Sequence, residues 1–379
     1  MPTIPHFLHV FPSFEAAGAQ ARTAALMADF GARYRHSLVA LDDAWGALEW
    51  VPDEVALERV SPSKIGGPLG QARGLARLLR QLQPDLLCTY NWGSFDAVIA
   101  ARLAGQRAHV HHEDGFHADE AQAQHGRRVL ARRLLLRRAK ALVVPSKGLE
   151  QLALHTWRLP PARVHWIPNG IDAEAFCPEP AGTDRQRLRT ALGLPENALV
   201  IGGVGRLNPV KRFDRLIRAC SRLNAGERPV HVWIAGEGTE RAALEALAAE
   251  NPPPGGKVHF LGYRTDLVPL YRAFDLFVIS SDSEQQPVSQ LEAMASGVPV
   301  AGTSVGDVPA TLPEAAREHL VDPTAEDAEA ALGRVLERLL QDPQRRAELA
   351  RLGRERVLER YSRTAMLDAY GKLYAAALA

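Results

Sequence analysis

Cysteine is nearly missing from this sequence of 379 residues: Cys88, Cys177 and Cys220 stand far apart and are odd in number. That excludes a disulfide framework and a cysteine zinc knuckle, and it fits a reducing compartment. Long apolar runs are lacking as well, with nothing near the ~18 continuous apolar residues that a membrane span needs. The run Phe7, Leu8, Val10 and Phe11 is bracketed by Pro5 and Pro12 and has no basic segment ahead of it, so it reads as a first strand, not a signal peptide. Net charge is almost absent: 45 basic against 44 acidic side chains leave +1, without the broad attraction that non-specific nucleic-acid binding relies on. Lysine is scarce, occurring only at 64, 140, 147, 211, 257 and 372, so 45 basic residues less six leave 39 arginines. Beside abundant alanine, that imbalance reads as genome composition more than recognition.

What is present is an ordinary globular balance, 46% apolar and 23% charged, over a length that predicts two domains. Short apolar runs alternate with segments of helical period. Strands are predicted at Phe7–Phe11, Ser37–Leu41, Leu86–Tyr90, His109–His112 and Ala141–Pro145. Between the first two, Ala21, Ala24, Ala25 and Ala28 fall on one helical face and Gly31 ends the helix. This βα rhythm implies parallel strands with helices on both sheet faces. It pauses after Asn169-Gly-Ile-Asp172, where Pro178, Pro180 and Gly182 mark a linker over 173–186. A second series follows at Ala198–Val204, Val230–Ala235, Val258–Leu261, Leu276–Ser280 and Val298–Ala301. The expected architecture is α/β: two Rossmann-like doubly wound domains, 1–172 and 187–360, facing a central cleft. A final helix at 361–379 is expected to pack back toward the N-terminal domain. Ligands of such sheets bind at the strand C-terminal edges.

Two stretches carry chemistry. Gly202-Gly-Val-Gly-Arg-Leu-Asn-Pro-Val-Lys211 is a glycine-rich turn between a strand and a helix, where backbone amides, Arg206 and Lys211 can meet a phosphate. Asn208 stands where a third glycine would complete the dinucleotide fingerprint, and no Gly-Lys-Ser/Thr closes the loop, so both the nicotinamide and Walker A readings fail. The plain alternative is a tight turn with two solvated cations. The second stretch runs from Ser283 to Pro299 and holds Glu284 and Glu292. Pro287 suits a first helical turn, which leaves Glu284 in the preceding loop and Glu292 on the second turn. Carboxylates suit sugar hydroxyls because each accepts two hydrogen bonds. The alternative is a favourable acid near a helix N-terminus and a solvated Glu292.

The ordered set Gly203-Val-Gly-Arg206-Leu, Lys211, Ile234-Ala-Gly236-Glu-Gly238, Phe260-Leu-Gly262, Asp266, Asp275-Leu-Phe and Glu284-x7-Glu292-Ala-Met-Ala-x-Gly-x-Pro resembles the family 4 glycosyltransferases, retaining enzymes with the two-domain GT-B fold. Ile167-Pro-Asn-Gly-Ile-Asp172 resembles the family's approach to its linker. The resemblance implies that Arg206 and Lys211, beside Gly205 and Gly236, grip a donor diphosphate. It further implies that Glu292 binds the ribose, Glu284 the donor sugar's hydroxyls, and Tyr263 and Arg264 line the base. Gln285 and Gln286 depart from the glycine and bulky apolar residue usual there, which bears on the identity of the sugar.

The first half is less legible. Glu15-Ala-Ala-Gly18-Ala-Gln20 resembles the family's glycine loop, with Gly18 as a phosphate contact and Ala17 in place of the first glycine. His109-Val-His-His-Glu-Asp-Gly115 admits three readings: a metal site, a plain strand end, or a contact to donor sugar or acceptor, with His111 first and His112 second. Asn91-Trp-Gly93 is either an acceptor-side lining or a core tryptophan. The arginine pairs 127/128, 132/133 and 137/138 fall all around one helix, which reads as a solvated helix anchored by Leu134 or as a basic patch on anionic lipid.

The resemblance implies a metal-independent, retaining transfer from a nucleotide diphosphate sugar to a glycan or lipid-linked acceptor, without any cofactor or nucleic-acid partner. It sets that transfer in bacterial polysaccharide or lipopolysaccharide synthesis. The expected location is cytoplasmic, with peripheral contact to the inner membrane. Arg206, Lys211, Glu284 and His111 are the expected catalytic residues. A non-catalytic nucleotide-sugar binder and a GT-B epimerase are the alternative functions.

Overall fold

The computed structural model describes residues 4–63, 69–116, 120, 124–179, 183–224 and 226–379. The chain divides into two compact units: residues 1–169 with 366–379, and residues 170–365.

In the first unit the apolar runs become β1 (His6–Phe11), β2 (Arg35–Ala40), β3 (Leu57–Arg59), β4 (Leu86–Tyr90), β5 (His109–His112), β6 (Ala141–Val144) and β7 (Val164–Trp166). They form one parallel sheet in the order β3-β2-β1-β4-β5-β6-β7. Successive side chains of a strand point to opposite faces. Phe7 and Phe11 of β1 therefore join a core with Met27, Phe30, Tyr370 and Tyr374, while Leu8 and Val10 join Leu75, Leu79 and Ala97 on the other face. The last helix, Arg363–Leu378, thus supplies Tyr370 and Tyr374 to the first unit's interior. The helix Gly18–Phe30 turns Thr23, Ala24, Met27 and Phe30 inward, while of the predicted alanine face Ala21 is exposed and Ala25 and Ala28 are half-buried. The bulkier side chains take the core because they remove more apolar area from water. Gly31 caps that helix at a φ of 51°.

The second unit carries β8 (Leu199–Val204), β9 (Val230–Ala235), β10 (Val258–Phe260), β11 (Leu276–Ile279), β12 (Val300–Thr303) and β13 (Leu320–Val321). Their order is β10-β9-β8-β11-β12-β13, again parallel throughout. In each sheet the order reverses beside the central strand pair, β1/β4 and β8/β11, the position at which doubly wound sheets place their ligands. Strands β3, β7 and β13 lie outside the predicted set. Of the predicted linker, residues 180–182, including Pro180 and Gly182, lie outside the described residues, and the positions from 183 open the helix Thr183–Ala191.

Candidate active site

Beyond the C-terminal ends of β8, β9 and β10, three loops are knitted edge to edge. Gly205 N donates to Ala235 O at 3.0 Å, Leu207 N to Glu237 O at 2.9 Å and Gly236 N to Gly262 O at 2.8 Å. The glycines are required by contact. A Cβ on Gly236, whose φ is 147°, would sit 1.9 Å from the Gly205 carbonyl oxygen, and one on Gly238 would sit 2.2 Å from that of Leu207. Asn208 accepts from Lys211 N at 3.1 Å through Oδ1 and caps the turn Pro209–Lys211 ahead of the helix Phe213–Ser221.

That turn delivers Lys211 to Glu284. Lys211 Nζ donates to Glu284 Oε1 at 2.5 Å, and Ser281 Oγ donates to the same oxygen at 2.6 Å. Glu284 does lie in the loop ahead of the helix Val288–Ala295. The loop is held by a fully packed neighbourhood. Asp282 N donates to Val210 O at 2.9 Å, the buried Arg215 donates to Ser280 O at 2.6 Å and pairs with Asp282 at 2.7 Å, and Thr303 Oγ1 donates to Ser281 O at 2.7 Å. Gly306, at a φ of 51°, lets the backbone of Glu284 approach where a Cβ would meet its carbonyl oxygen at 1.8 Å. Arg206 is exposed and has no side-chain partner among the described residues. The result is one committed cation, one open cation and a carboxylate fixed by two donors, all beside a glycine-lined turn.

Glu292 sits on the second turn of Val288–Ala295, where Tyr271 donates its hydroxyl to Oε2 at 2.7 Å. Burial pushes the Glu292 carboxyl up to about 7, against the opposing pull of the Tyr271 hydrogen bond. Burial also raises the Tyr271 phenol well above its ordinary value, so it stays a donor. Tyr263 is exposed, and Arg264 pairs with Asp266, its Nε donating to Oδ1 at 2.7 Å. That hydrogen bond holds the Asp266 carboxyl below its usual range.

The remaining two predicted residues belong to the first unit. Gly18 is the exposed first residue of its helix, whose N-terminus has neither a side-chain cap nor an acidic residue in the first turn. His111 is fully buried, its Nδ1 2.7 Å from Thr89 Oγ1 and its Nε2 3.7 Å from Glu113 Oε2. His109 shares the Thr89 hydroxyl at 2.9 Å, and His112 reaches the Tyr374 hydroxyl at 2.9 Å. All three histidines of this strand end are interior. Glu113 is claimed by Arg132, whose Nε donates to Oε2 at 3.1 Å. Among the described residues no three His, Cys, Asp or Glu side chains are grouped to hold a metal ion.

The arginine helix, Gly126–Leu135, runs opposite to its predicted sense. Leu130 and Leu134 are 53% and 55% exposed, while Arg132 is fully buried between Glu113 and Glu120 with the rings of Trp92, Phe116 and Trp157 5.0–5.3 Å from its guanidinium carbon. Two anions and three aromatic faces replace the lost water, which is what a buried guanidinium demands. Trp92 is accordingly a partner of Arg132 and stacks on Phe95.

Sequence reasoning passed over Tyr271 and Ser281, each of which donates to a predicted carboxylate. It also passed over a buried pair at the C-terminal edge of the first sheet. Arg22 donates to both Asp114 oxygens at 2.6 and 2.9 Å and to Asn169 at 3.0 Å, while Asp114 N donates to Asn91 Oδ1 at 2.7 Å. Asn91, at a φ of 57°, was read in sequence as part of a strand-end acceptor lining, without its bond to Asp114.

Comparison with known proteins decides the family. The model described as Glycosyltransferase Family 4 matches residues 16–175, and the one described as Glycosyl transferases group 1 matches residues 184–356. The chain belongs to the family 4 glycosyltransferases. Among curated relatives of this glycosyltransferase chain, D-inositol 3-phosphate glycosyltransferase of Salinispora tropica is 35% identical over 268 residues, 65% of this chain and 54% of that protein. The lipopolysaccharide core biosynthesis glycosyltransferase LpsE of Rhizobium meliloti is 34% identical over 187 residues, 49% of this chain and 53% of its own. The chain thus spans about half the length of the curated relatives it matches. Solved structures share the fold across nearly the whole chain. HepE of Anabaena, in complex with UDP and glucose, superposes with a TM-score of 0.82 at 19% identity, covering 98% of this chain and 100% of that one. WaaG, a glycosyltransferase involved in lipopolysaccharide biosynthesis, gives 0.69 at 19% identity over 99% and 98%. Two parallel-sheet α/β units and these neighbours identify the GT-B fold.

Proposed function

We propose that this protein transfers a glycosyl residue from a nucleotide diphosphate sugar to a glycan or lipid-linked acceptor in bacterial glycan synthesis, with retention at the anomeric carbon and without a metal. The observation that carries the reading is the Lys211–Glu284–Ser281 constellation beside Arg206, which has no side-chain partner among the described residues. Breaking a glycosidic bond to a diphosphate leaves a new negative charge on the departing nucleotide. Two cations and the amides of a glycine-lined turn answer that charge, and groups already in place need no reorganisation during reaction. Glu284, oriented by two donors, keeps lone pairs for sugar hydroxyls, and an ionised Glu292 accepts the paired hydroxyls of a ribose. Retention without a protein nucleophile is consistent with the leaving phosphate taking the acceptor's proton, and the fixed cations supply what a divalent ion otherwise would. Relatives are named for lipopolysaccharide core synthesis, and HepE is solved with UDP-glucose, which favours a nucleoside diphosphate donor here.

The deciding experiment incubates the protein with a panel of UDP-, GDP- and ADP-sugars, with and without glycan and lipid-linked acceptors in the presence of a metal chelator. Nucleotide release is followed, and the product linkage is read by NMR. Donor-specific, acceptor-stimulated release giving a retained anomer is expected. Release from no donor, an inverted product, or an absolute need for added metal overturns the reading.

A further inference from the structure

A cavity lies within the first unit, and none of its lining residues belongs to the donor reading. It is a groove of about 700 Å³ between the edge strand β7 and the last helix, lined by Val164, Trp166, Ala369 and Leu373, with Lys140 and Lys372. Its volume falls within the roughly 300–1,000 Å³ of small-molecule sites. Lys140 and Lys372 are exposed and have no side-chain partner among the described residues. Glu150 also lines the groove, but Lys147 neutralises it at 2.8 Å and lies with its Nζ 3.8 Å from the centre of the Trp166 ring. Half-buried His165 has its protonated form disfavoured by burial. Two uncompensated positive charges therefore stand over an apolar trough with an indole in its wall.

The lysine census points the same way. A basic position of this chain is arginine 39 times in 45. Yet of the five lysines among the described residues, three, Lys140, Lys147 and Lys372, belong to this one groove or touch its tryptophan. Ammonium groups are compact point charges that close on a phosphate oxygen without the planar fork of a guanidinium.

We propose that the groove binds a phosphate monoester carried on an aliphatic chain, the end of a lipid phosphate. Lys140 and Lys372 hold the phosphate, and the trough between β7 and the last helix takes the chain. The site does not depend on the donor reading: its lining residues lie outside the segment from Gly205 to Glu292, and its test reads binding, not turnover.

The test is calorimetric titration of the full chain with decyl phosphate below its micellar concentration, beside inorganic phosphate and the neutral decyl maltoside. One saturable site is expected for decyl phosphate, at least tenfold tighter than for either control. The double variant K140M/K372M is expected to weaken it tenfold or more at unchanged melting temperature, and K211M to leave it as in the wild type. Should the double lysine variant fold poorly, Ala376→Glu, an exposed lining position one helical turn from Lys372, keeps both lysines but pairs an anion with that ammonium, and is expected to give the same loss. Absence of saturable binding overturns the proposal. So does equal affinity for inorganic phosphate or decyl maltoside, or unchanged affinity in the lysine and Ala376→Glu variants. Nucleotide release measured on K140M/K372M and on Ala376→Glu is expected to stay at the wild-type level, which separates this site's failure from any failure of the donor reading.

Discussion

Lys211 and Glu284 are 73 residues apart in the chain and 2.5 Å apart in space. Each was legible from its own motif, but their pairing was not, because no periodicity links residues on the ends of different strands. Removing either member leaves the other without its charge partner, whereas removing Arg206 disturbs no bond within the described residues. Charge-assisted hydrogen bonds contribute roughly 1.5–3 kcal/mol each, and each ~1.4 kcal/mol at the transition state is tenfold in rate. Arg206→Ala is therefore expected to lower kcat roughly ten- to a hundredfold with an unchanged melting temperature. Lys211→Ala is expected to lose at least as much, and steady-state nucleotide release checks both. Glu292 gives a pH signature. Its carboxyl, at about 7, must be ionised to accept two hydroxyls, so donor KM is expected to rise as pH falls from 8 to 6. Tyr271→Phe removes the donor that favours the ionised form, so that rise is expected to begin at higher pH, while Glu292→Gln is expected to raise KM and flatten the profile. A KM that is level across this range in the wild type would separate Glu292 from donor binding.

At the scale of elements, the strands that the sequence disclosed are, apart from the edge strand β10, the inner ones of each sheet, mostly buried and written as continuous apolar runs. Those it hid, β3, β7 and β13, are outermost in their sheets and two or three residues long, so neither length nor patterning separates them from loop. The arginine helix shows the reverse failure. A hydropathy pattern buries leucine and exposes arginine, and only the tertiary arrival of Glu113, Glu120 and three aromatic rings makes Arg132 the interior residue. The glycines of the three site loops were legible as turn residues, yet their real constraint is contact between loops. Gly236→Ala brings a methyl against the Gly205 carbonyl at a φ that L-residues rarely adopt, with a backbone cost of order 1–3 kcal/mol. The second unit is expected to unfold at lower urea concentration, and donor affinity to fall with it, because the same collision displaces the turn carrying Arg206.

Over the whole molecule, acid is expected to weaken the first unit more than the second. In the first, burial lowers His36 to about 4 and His109 to about 3, so the folded state holds both neutral. The unfolded chain takes up those protons below about 6.5, and stability present above that pH is lost as it falls toward 4 and then 3. In the second, burial likewise lowers His259 to about 4, but the raised Glu292 binds its proton more readily folded than unfolded and offsets part of that loss as pH falls from 7 toward 4.5. Hydrogen exchange at pH 7 and pH 5 is expected to show protection dropping in β1, β2 and β5 relative to β8 and β11. Equal loss in both sheets would contradict this.

The return of Met366–Ala379 to the first unit also orders the protein's birth on the ribosome. The strands of that sheet emerge early, but Tyr370 and Tyr374, which close the space beside Phe7 and His112, are translated only after all of residues 170–365. At roughly 5–20 residues per second, the nascent sheet waits on the order of 10–40 s with that interior uncovered. During synthesis, therefore, the later-made half is the one able to finish first, and the earlier half remains a client for chaperones until the final helix is released.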